Sequence, residues 1–338
     1  MITDRYYYMR LSEPEKRIYQ VLYKGVKNLE KEIDIDGIYP DVDAVNRIYD
    51  ALTADNPLLY YFNQSCLTLN TTKSGTIFVP QYFCSHEQIE TYNCRIQAIV
   101  NQLMMELQLE RASDSEKVRK IHDYFCQNIK YDREALQSQQ MNRKVASHSI
   151  IGVFARNRAV CEGISKAVKL LLNTANVKCI VVNGNAELEE NIPHMWNIVK
   201  INGEPYHLDV TWDLANSKDG RICYDYYCLS DVLIQNDHSD YSGIPSCDSE
   251  DENYFVRNNL VFRDQYSLSR YVRYGLQCNQ LDFYFRYVGK ESIESVVHEL
   301  VELLSQEMIR LGQKARIRSL MNPAQGIGRV SIDKINAR

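Results

Sequence analysis

The sequence predicts an α+β protein in which helices and antiparallel strands both contribute to the core. Apolar residues recur at helical spacing over several long segments, and an Asn-Gly pair separates two runs of alternating strand character. Further strand-like runs follow towards the C-terminus. The chain has 338 residues, enough for more than one domain, and we expect three regions: 1–110, 111–240 and 241–338.

Composition excludes several classes of protein. The net charge is −5, so neither nucleic acid nor an anionic membrane is expected as a partner. No segment approaches the roughly 20 apolar residues of a membrane span, and the N-terminus lacks the apolar core of a signal peptide. We therefore expect a cytoplasmic protein whose ten cysteines are mostly free thiols. The most basic stretch, "RLGQKARIR", is interpreted as a solvated helix end.

A metal site is the alternative use of the cysteines. One loose series has the order C-x4-C…H…C and consists of Cys223, Cys228, His238 and Cys247. The tight C-x2-C pair of zinc ribbons is absent from it. We predict no metal and no cofactor, while a structural zinc protein remains a minor alternative.

The N-terminal region is predicted to contain three helices and a strand. Ser12 and Glu15 form a capping box at the start of the first helix. In chain order the elements cover 14–34 (helix), 41–52 (helix), 75–83 (strand) and 85–110 (helix).

The middle and C-terminal regions continue this mixture. Ser113 and Glu116 form a second capping box, which opens a helix that ends near residue 132. A polar loop is expected over 132–158, and loops of that length are often functional. The turn-rich, acidic stretch "YSGIPSCDSEDENYF" marks a domain boundary. Beyond it we expect 258–264 (strand), 281–289 (strand), 292–312 (helix) and 328–332 (strand).

Cys161 stands where a long amphipathic helix begins. Ile164, Ala167, Val168 and Leu171 lie on one side of that helix. The unpaired N–H groups and the dipole at a helix N-terminus favour an anion, and hence a thiolate. The same N–H groups are suited to an oxyanion. On this stretch alone, a reactive thiol and a buried structural thiol are equally good interpretations.

A hairpin supplies partners for a reactive thiol. The Asn202-Gly203 turn pairs Ile201 with Glu204, which makes His194 and Asp209 diagonal neighbours about 7–8 Å apart between Cα atoms. The alternation predicts one core face, made of Met195, Val199, Ile201, Tyr206, Leu208, Val210 and Trp212. The opposite face carries His194, Lys200, His207 and Asp209. A histidine beside an aspartate there suggests catalysis, although a surface ion pair is the alternative.

The other histidines are weaker candidates. His207 is expected to be a partly exposed strand residue. His122 and His148 lie in the preceding helix and loop, without a comparable acidic partner. The remaining three lie outside the hairpin and the Cys161 helix: His86, His238 and His298.

Together these residues resemble a known family. "VCEGISKAVKLLL" followed by "HMWNIVKINGEPYHLDVTW" is similar to the transglutaminase-like superfamily, whose members have the order Cys…His…Asp. "KIHDYFCQNIKYD" and "YDYYCLSDVLIQNDH" resemble segments on either side of the catalytic residues in bacterial members. "TWDLANSKDG" departs by lacking an Asp-Pro. The resemblance spans roughly 113–240 and implies a papain-like core, with the nucleophile helix packed on an antiparallel sheet.

The resemblance also implies roles and an activity. Cys161 would be the nucleophile, His194 the general base and acid, and Asp209 the residue that orients His194. Tyr131, Glu162 and Trp196 would supply oxyanion contacts or walls. The implied activity is acyl transfer from a peptide or glutamine amide, with hydrolysis favoured over cross-linking. The alternative is a catalytically silent domain that binds proteins or peptides.

Overall fold

The computed structural model confirms the α+β class, with helices and mostly antiparallel strands. It describes residues 4–37, 40–63, 68–73, 75–138, 140–187, 190–218 and 220–334. The chain divides into two units, Met1–Tyr226 with His238–Cys247 and Tyr227–Asp237 with Asp248–Arg338. The three regions expected from the sequence remain a prediction. In the described part of the chain, no helix is both long and apolar enough to cross a membrane.

The elements are numbered along the chain. The helices are α1 Tyr6–Arg10, α2 Glu13–Lys27, α3 Val42–Asp55, α4 His86–Glu106, α5 Asp114–Asn128, α6 Arg133–Gln137, α7 Met141–Ser147, α8 Ile150–Arg156, α9 Cys161–Thr174, α10 Val210–Asn216, α11 Asp231–Ile234, α12 Tyr254–Arg257, α13 Gln265–Gln277 and α14 Ile293–Arg310, with a 3-10 turn at Leu109–Arg111. The strands are β1 Ile33–Asp36, β2 Leu69–Thr71, β3 Gly75–Phe78, β4 Lys130–Tyr131, β5 Arg158–Ala159, β6 Cys179–Ala186, β7 Ile192–Ile201, β8 Glu204–Leu208, β9 Tyr227–Leu229, β10 His238–Ser239, β11 Val261–Phe262, β12 Asp282–Tyr287, β13 Ala315–Asn322 and β14 Ile327–Lys334.

The sheet that positions the site lies in the first unit, with strands in the order β10-β6-β7-β8. The predicted hairpin register is confirmed, since Ile201 pairs with Glu204 across the Asn-Gly turn. Helix α9 packs against this sheet. Ser165 Oγ donates to the Met195 carbonyl over 2.8 Å, and Asn197 Nδ2 donates to the Ser165 carbonyl over 3.0 Å. These bonds fix the helix that begins at Cys161 relative to the strand that carries His194.

Both faces of the hairpin are buried, so the prediction of a single core face is wrong. The second face carries Trp196, Ile198 and His207, which are at most 3% exposed. Trp196 and Ile198 belong to an apolar cluster with Ile180, Val182 and Cys247. This cluster is covered by Tyr6, Tyr7, Tyr241 and Ile244. These covering residues come from distant parts of the chain, which strand alternation cannot reveal.

Two further predictions about local structure need correction. Residues 132–158 are not a loop, because α6, α7 and α8 lie within them. Helix α8 buries Ile150, Val153 and Phe154, a short apolar group that the polar surroundings obscure. The first long helix ends at Lys27 instead of 34, since Leu29 adopts a left-handed backbone (φ 57°) and β1 follows.

Other predictions of local structure agree with the described elements. The capping boxes of Ser12 with Glu15 and Ser113 with Glu116 are both present. The second unit has a sheet of order β11-β12-β14-β13, whose apolar core includes side chains of α13 and α14. The basic stretch near 310–318 is only partly a helix end, since β13 begins at Ala315.

Candidate active site

Cys161 is the first residue of α9, and its thiol is partly exposed. The N-cap residue, Val160, makes no side-chain capping bond. The first backbone bond of the helix runs from the Ile164 N–H to the Val160 carbonyl over 3.0 Å. The N–H groups of the first turn therefore lack a capping side chain beside the sulfur, at the positive end of the helix dipole.

His194 lies between Cys161 and Asp209. Its imidazole is 7% exposed, and its Nε2–H donates to Asp209 Oδ2 over 2.7 Å. The Cys161 thiol also forms a hydrogen bond with this imidazole. Burial lowers the pKa of His194, but the charge and hydrogen bond of Asp209, together with Cys161, raise it to about 10. The arrangement thus stabilises an imidazolium beside the sulfur.

Asp209 reaches His194 by a different local structure from the one predicted. Strand β8 ends at Leu208, and Asp209 is the N-cap of α10. Its Oδ1 accepts from the backbone N–H groups of Thr211 (2.9 Å) and Trp212 (3.2 Å). Burial raises the pKa of this carboxyl, but His194 and other donors hold it well below its usual range. The cap therefore orients an ionised carboxylate towards the imidazole.

His238 is a site residue that the sequence interpretation set aside. It is 1% exposed, and its Nε2 lies 3.3 Å from the same Asp209 Oδ2. Strand β10 pairs with β6 and places His238 opposite Ala186, which brings the imidazole close to Asp209. It lies 29 residues beyond Asp209, so only the sheet topology reveals the contact. The signal available in the sequence was the histidine that ends "YDYYCLSDVLIQNDH", a segment already linked to the family.

Tyr131 lies close to the proposed nucleophile along the β4–β5 pair. Strand β4 pairs in parallel with β5, placing Tyr131 opposite Ala159, two residues before Cys161. Burial raises the pKa of the Tyr131 phenol to about 12, with smaller contributions from Cys161 and Asp209. The phenol therefore stays protonated and is available as a hydrogen-bond donor.

Glu162 follows Cys161, but its carboxylate is already paired. Lys166 Nζ donates to it over 2.6 Å, and His148 Nδ1 lies 2.9 Å away. The prediction that His148 has no acidic partner is therefore wrong. Burial raises the pKa of Glu162, but Lys166 and His148 lower it to about 2. Glu162 thus anchors the segment between α7 and α8 to the first turn of α9.

Trp196 forms the floor beneath the imidazole. Its ring stacks on His194 with centroids 6.0 Å apart and an interplanar angle of 16°. Its Nε1–H donates to His207 Nδ1 over 3.0 Å. His207 is fully buried, contrary to its predicted partial exposure, and this bond gives it a structural partner instead of a catalytic one.

A known protein family resembles the region of the chain that contains this site. The model of the transglutaminase-like superfamily matches residues 101–210, a range that includes Cys161, His194 and Asp209. This region of the chain is therefore transglutaminase-like. Similar proteins include kyphoscoliosis peptidase of Mus musculus, 27% identical over 154 residues, which are 41% of this chain and 23% of that protein.

The human kyphoscoliosis peptidase is 24% identical over 186 residues, which are 50% of this chain and 27% of that protein. The aligned region thus spans about a quarter of the length of these curated relatives. Solved structures resemble this chain weakly. A crystal structure of a TGase has a TM-score of 0.33 and 17% identity, covering 54% of this chain and 50% of that one.

The sequence suggested a metal site made of His238 and three cysteines. In the structure, other side chains lie beside His238. Among the described residues, those that could hold a metal ion together with it are His194 and Asp209. Both imidazole Nε2 atoms lie at hydrogen-bond distance from one carboxylate oxygen. Cys247 instead packs in the apolar cluster beneath the hairpin.

A second buried histidine of the domain also has acidic partners, contrary to prediction. His122 Nε2 lies 3.0 Å from Asp213 Oδ2, and Nδ1 lies 3.1 Å from Asp123 Oδ1. Burial lowers the pKa of His122, but Cys126 and the two carboxylates raise it well above its usual value. Burial raises the pKa of Asp213 to about 7, against the lowering effect of His122. The pair connects α5 to α10, the helix that Asp209 caps.

We expect His122→Phe to lower the free energy of unfolding by roughly 2–4 kcal/mol, because Asp213 stays buried without its cation. Phenylalanine keeps a ring against Tyr224, whose centroid lies 5.1 Å from that of His122. The pKa of His122 is raised well above its usual value, so its contribution to stability is fully present below pH 6.5 and is lost as the pH rises, which makes the loss larger at pH 5 than at pH 8. Urea unfolding at both pH values, with the exposed His298→Phe as control, measures this. An equal loss at both pH values would contradict it.

The close packing around position 163 explains why a glycine follows Cys161 and Glu162. A Cβ at this position would lie 2.5 Å from the Ser147 carbonyl oxygen and 2.8 Å from that of Ser149. It would also lie 2.9 Å from the Ala159 Cβ. Both oxygens belong to the backbone, which cannot rotate away as a flexible side chain would. Only glycine therefore allows α9 to start this close to the segment between α7 and α8.

We expect Gly163→Ala to cost about 1–3 kcal/mol of stability through this overlap. It should also slow alkylation of Cys161 roughly 10- to 100-fold, because the first turn of α9 has to shift. Thermal denaturation and peptide mapping after iodoacetamide treatment measure the two effects. A variant that keeps both wild-type values would show that the backbone contact has no influence on the site.

Proposed function

We propose that this protein is a cysteine acyl-transfer enzyme that acts on peptide or glutamine-type amides. The observation that carries the proposal is the continuous hydrogen-bonded series from the Cys161 thiol through His194 to Asp209. It lies within the region that matches the transglutaminase-like superfamily. The nucleophile, the base and the residue orienting the base thus have the contacts that thiol catalysis requires.

The first half-reaction forms a thioester. The Cys161 thiolate attacks the amide carbonyl carbon, and the carbonyl oxygen becomes an oxyanion beside the uncapped N–H groups of α9. Tyr131 is the second proposed donor to that oxygen. His194 then gives its proton to the departing nitrogen as the C–N bond breaks. The amine leaves, and the acyl group remains on sulfur.

The second half-reaction releases the acyl group. The neutral His194 takes a proton from water as the water oxygen attacks the thioester carbonyl. The C–S bond breaks, the carboxylic acid leaves, and the Cys161–His194 ion pair forms again. We favour water over an amine as the acceptor, by analogy with the relatives that are named peptidases. Mass spectrometry of a glutaminyl peptide turned over in ¹⁸O-water with added methylamine separates the two products.

The proposal is tested without knowledge of the substrate. Iodoacetamide is applied between pH 5 and 9, and each cysteine is followed by peptide mapping. The exposed Cys94 and Cys278 serve as ordinary thiols within the same chain. We expect Cys161 to react at least about tenfold faster than either at pH 6, and to lose this advantage in His194→Ala but not in His298→Ala. Equal rates at all three cysteines would support a silent binding domain instead.

A further inference from the structure

Asp209 accepts four hydrogen bonds, although its carboxylate is completely buried. Backbone N–H groups of Thr211 and Trp212 donate to Oδ1, and His194 and His238 share Oδ2. An ionised carboxylate offers about four acceptor positions. A buried charge is tolerated when such partners replace water. His238 therefore completes a set of donors that keeps this anion stable.

The surroundings of His238 hold its ring in place. Its centroid lies 4.7 Å from that of Trp212 and 4.9 Å from that of Trp196. Tyr226 contacts the ring at 5.7 Å. The chain has two tryptophans in all, and both also contact His194. Aromatic packing thus fixes both imidazoles relative to one carboxylate oxygen.

We propose that His238 is a positioning residue that donates its Nε2–H to Asp209 Oδ2 and keeps that carboxylate ionised and aimed at His194. This inference rests on the proposed function, in which an ionised Asp209 stabilises the His194 imidazolium. His238 does not touch the reacting atoms. It acts through Asp209, and the structure gives it the same acceptor oxygen as the catalytic histidine.

The effect of His238 on pH dependence follows from the groups around Asp209. Besides the two histidines, the Tyr131 phenol interacts with this carboxylate, and it carries no positive charge. Without His238, the buried anion loses one of its four hydrogen-bond donors. Asp209 then binds a proton at higher pH, and a neutral Asp209 no longer stabilises the imidazolium or the thiolate paired with it.

Three variants separate the hydrogen bond from packing. His238→Phe keeps an aromatic ring and removes the donor. His238→Gln places an amide N–H near the position of Nε2. His207→Phe is the matched control, because His207 is also buried and contacts Trp196, but it accepts a hydrogen bond from the indole N–H of Trp196. The readouts are the pH dependence of Cys161 alkylation and the tryptophan emission, which reports whether the rings keep their packing.

We expect the acid limb of Cys161 alkylation to move up by about one pH unit in His238→Phe, a tenfold rate loss on that limb. His238→Gln should restore most of it, and His207→Phe should leave it in place. An unmoved acid limb in a folded His238→Phe protein, or an equal shift in the Gln variant, would assign His238 to packing alone. A wild-type profile that depends on added Zn²⁺, with no such dependence in His238→Phe, would make His238 a metal ligand and also overturn the inference. If wild-type Cys161 shows no enhanced reactivity, the proposed function fails first.

Discussion

Cys161→Ala is expected to abolish turnover of amide substrates, with kcat reduced roughly 10⁴-fold or more, because the thioester cannot form without the sulfur. The side chain is small and partly exposed, so the fold should be unaffected. The measurement is hydroxamate formation from a blocked glutaminyl peptide and hydroxylamine, together with hydrolysis of a peptide library.

Matched controls exist in the same chain. Cys94→Ala and Cys278→Ala remove exposed thiols that lie outside the proposed site, and both should keep wild-type turnover. Cys161→Ser keeps a nucleophilic atom but should be nearly as inactive, since a serine hydroxyl ionises far less readily than a thiol. Wild-type turnover in Cys161→Ala would show that another group performs the chemistry.

Asp209→Asn is expected to reduce kcat by about 10³- to 10⁴-fold with little change in KM, as in other triads that lose the orienting carboxylate. Asparagine is an equally good N-cap, so α10 should keep its first turn. The substitution therefore removes the charge that stabilises the His194 imidazolium while it preserves the local fold. Asp209→Ala, which loses the cap as well, should be destabilised by about a further 1 kcal/mol.

The free energy of unfolding of Asp209→Asn, relative to wild type, is expected to depend on pH. The pKa of His194 is raised from 6.5 to about 10, so its contribution is fully present below pH 6.5 and disappears as pH rises through 10. The pKa of Asp209 is lowered from 3.8, so its contribution is present above that value and is lost in stronger acid. The stability difference between wild type and Asp209→Asn should thus be largest between about pH 4 and 6.5. Urea unfolding across pH 3–10 measures it, and a constant difference would contradict the ionised pair.

The sequence alone was sufficient for the parts of the site that depend on local signals. The Asn202-Gly203 turn predicted the register of β7 and β8, because a two-residue turn determines which residues pair. The helical periodicity placed Cys161 at the start of α9. Hydrophobic patterning and turn chemistry act over a few residues, so they can be interpreted without the fold.

Tertiary structure decided which groups surround the carboxylate. Asp209 meets His194 as the N-cap of α10, although the alternating pattern suggested that the strand continues to Trp212. The burial of His207 and the contact of His122 with Asp213 depend on residues that are distant in sequence. Charge and exposure are set by such neighbours, which is why these histidines were misjudged.

The stretch that begins at Cys161 shows which features the sequence determines and which the tertiary structure decides. Its sequence determined a helix with a thiol at the positive end and, through the hairpin register, predicted that a histidine and an aspartate lie close together. The pairing of β10 with β6 decided that His238 would share the oxygen of Asp209, and the backbone of 147–149 decided that only glycine fits at 163. Local patterns specify elements, but the desolvation and hydrogen bonding that make a thiol reactive arise only when distant segments pack together.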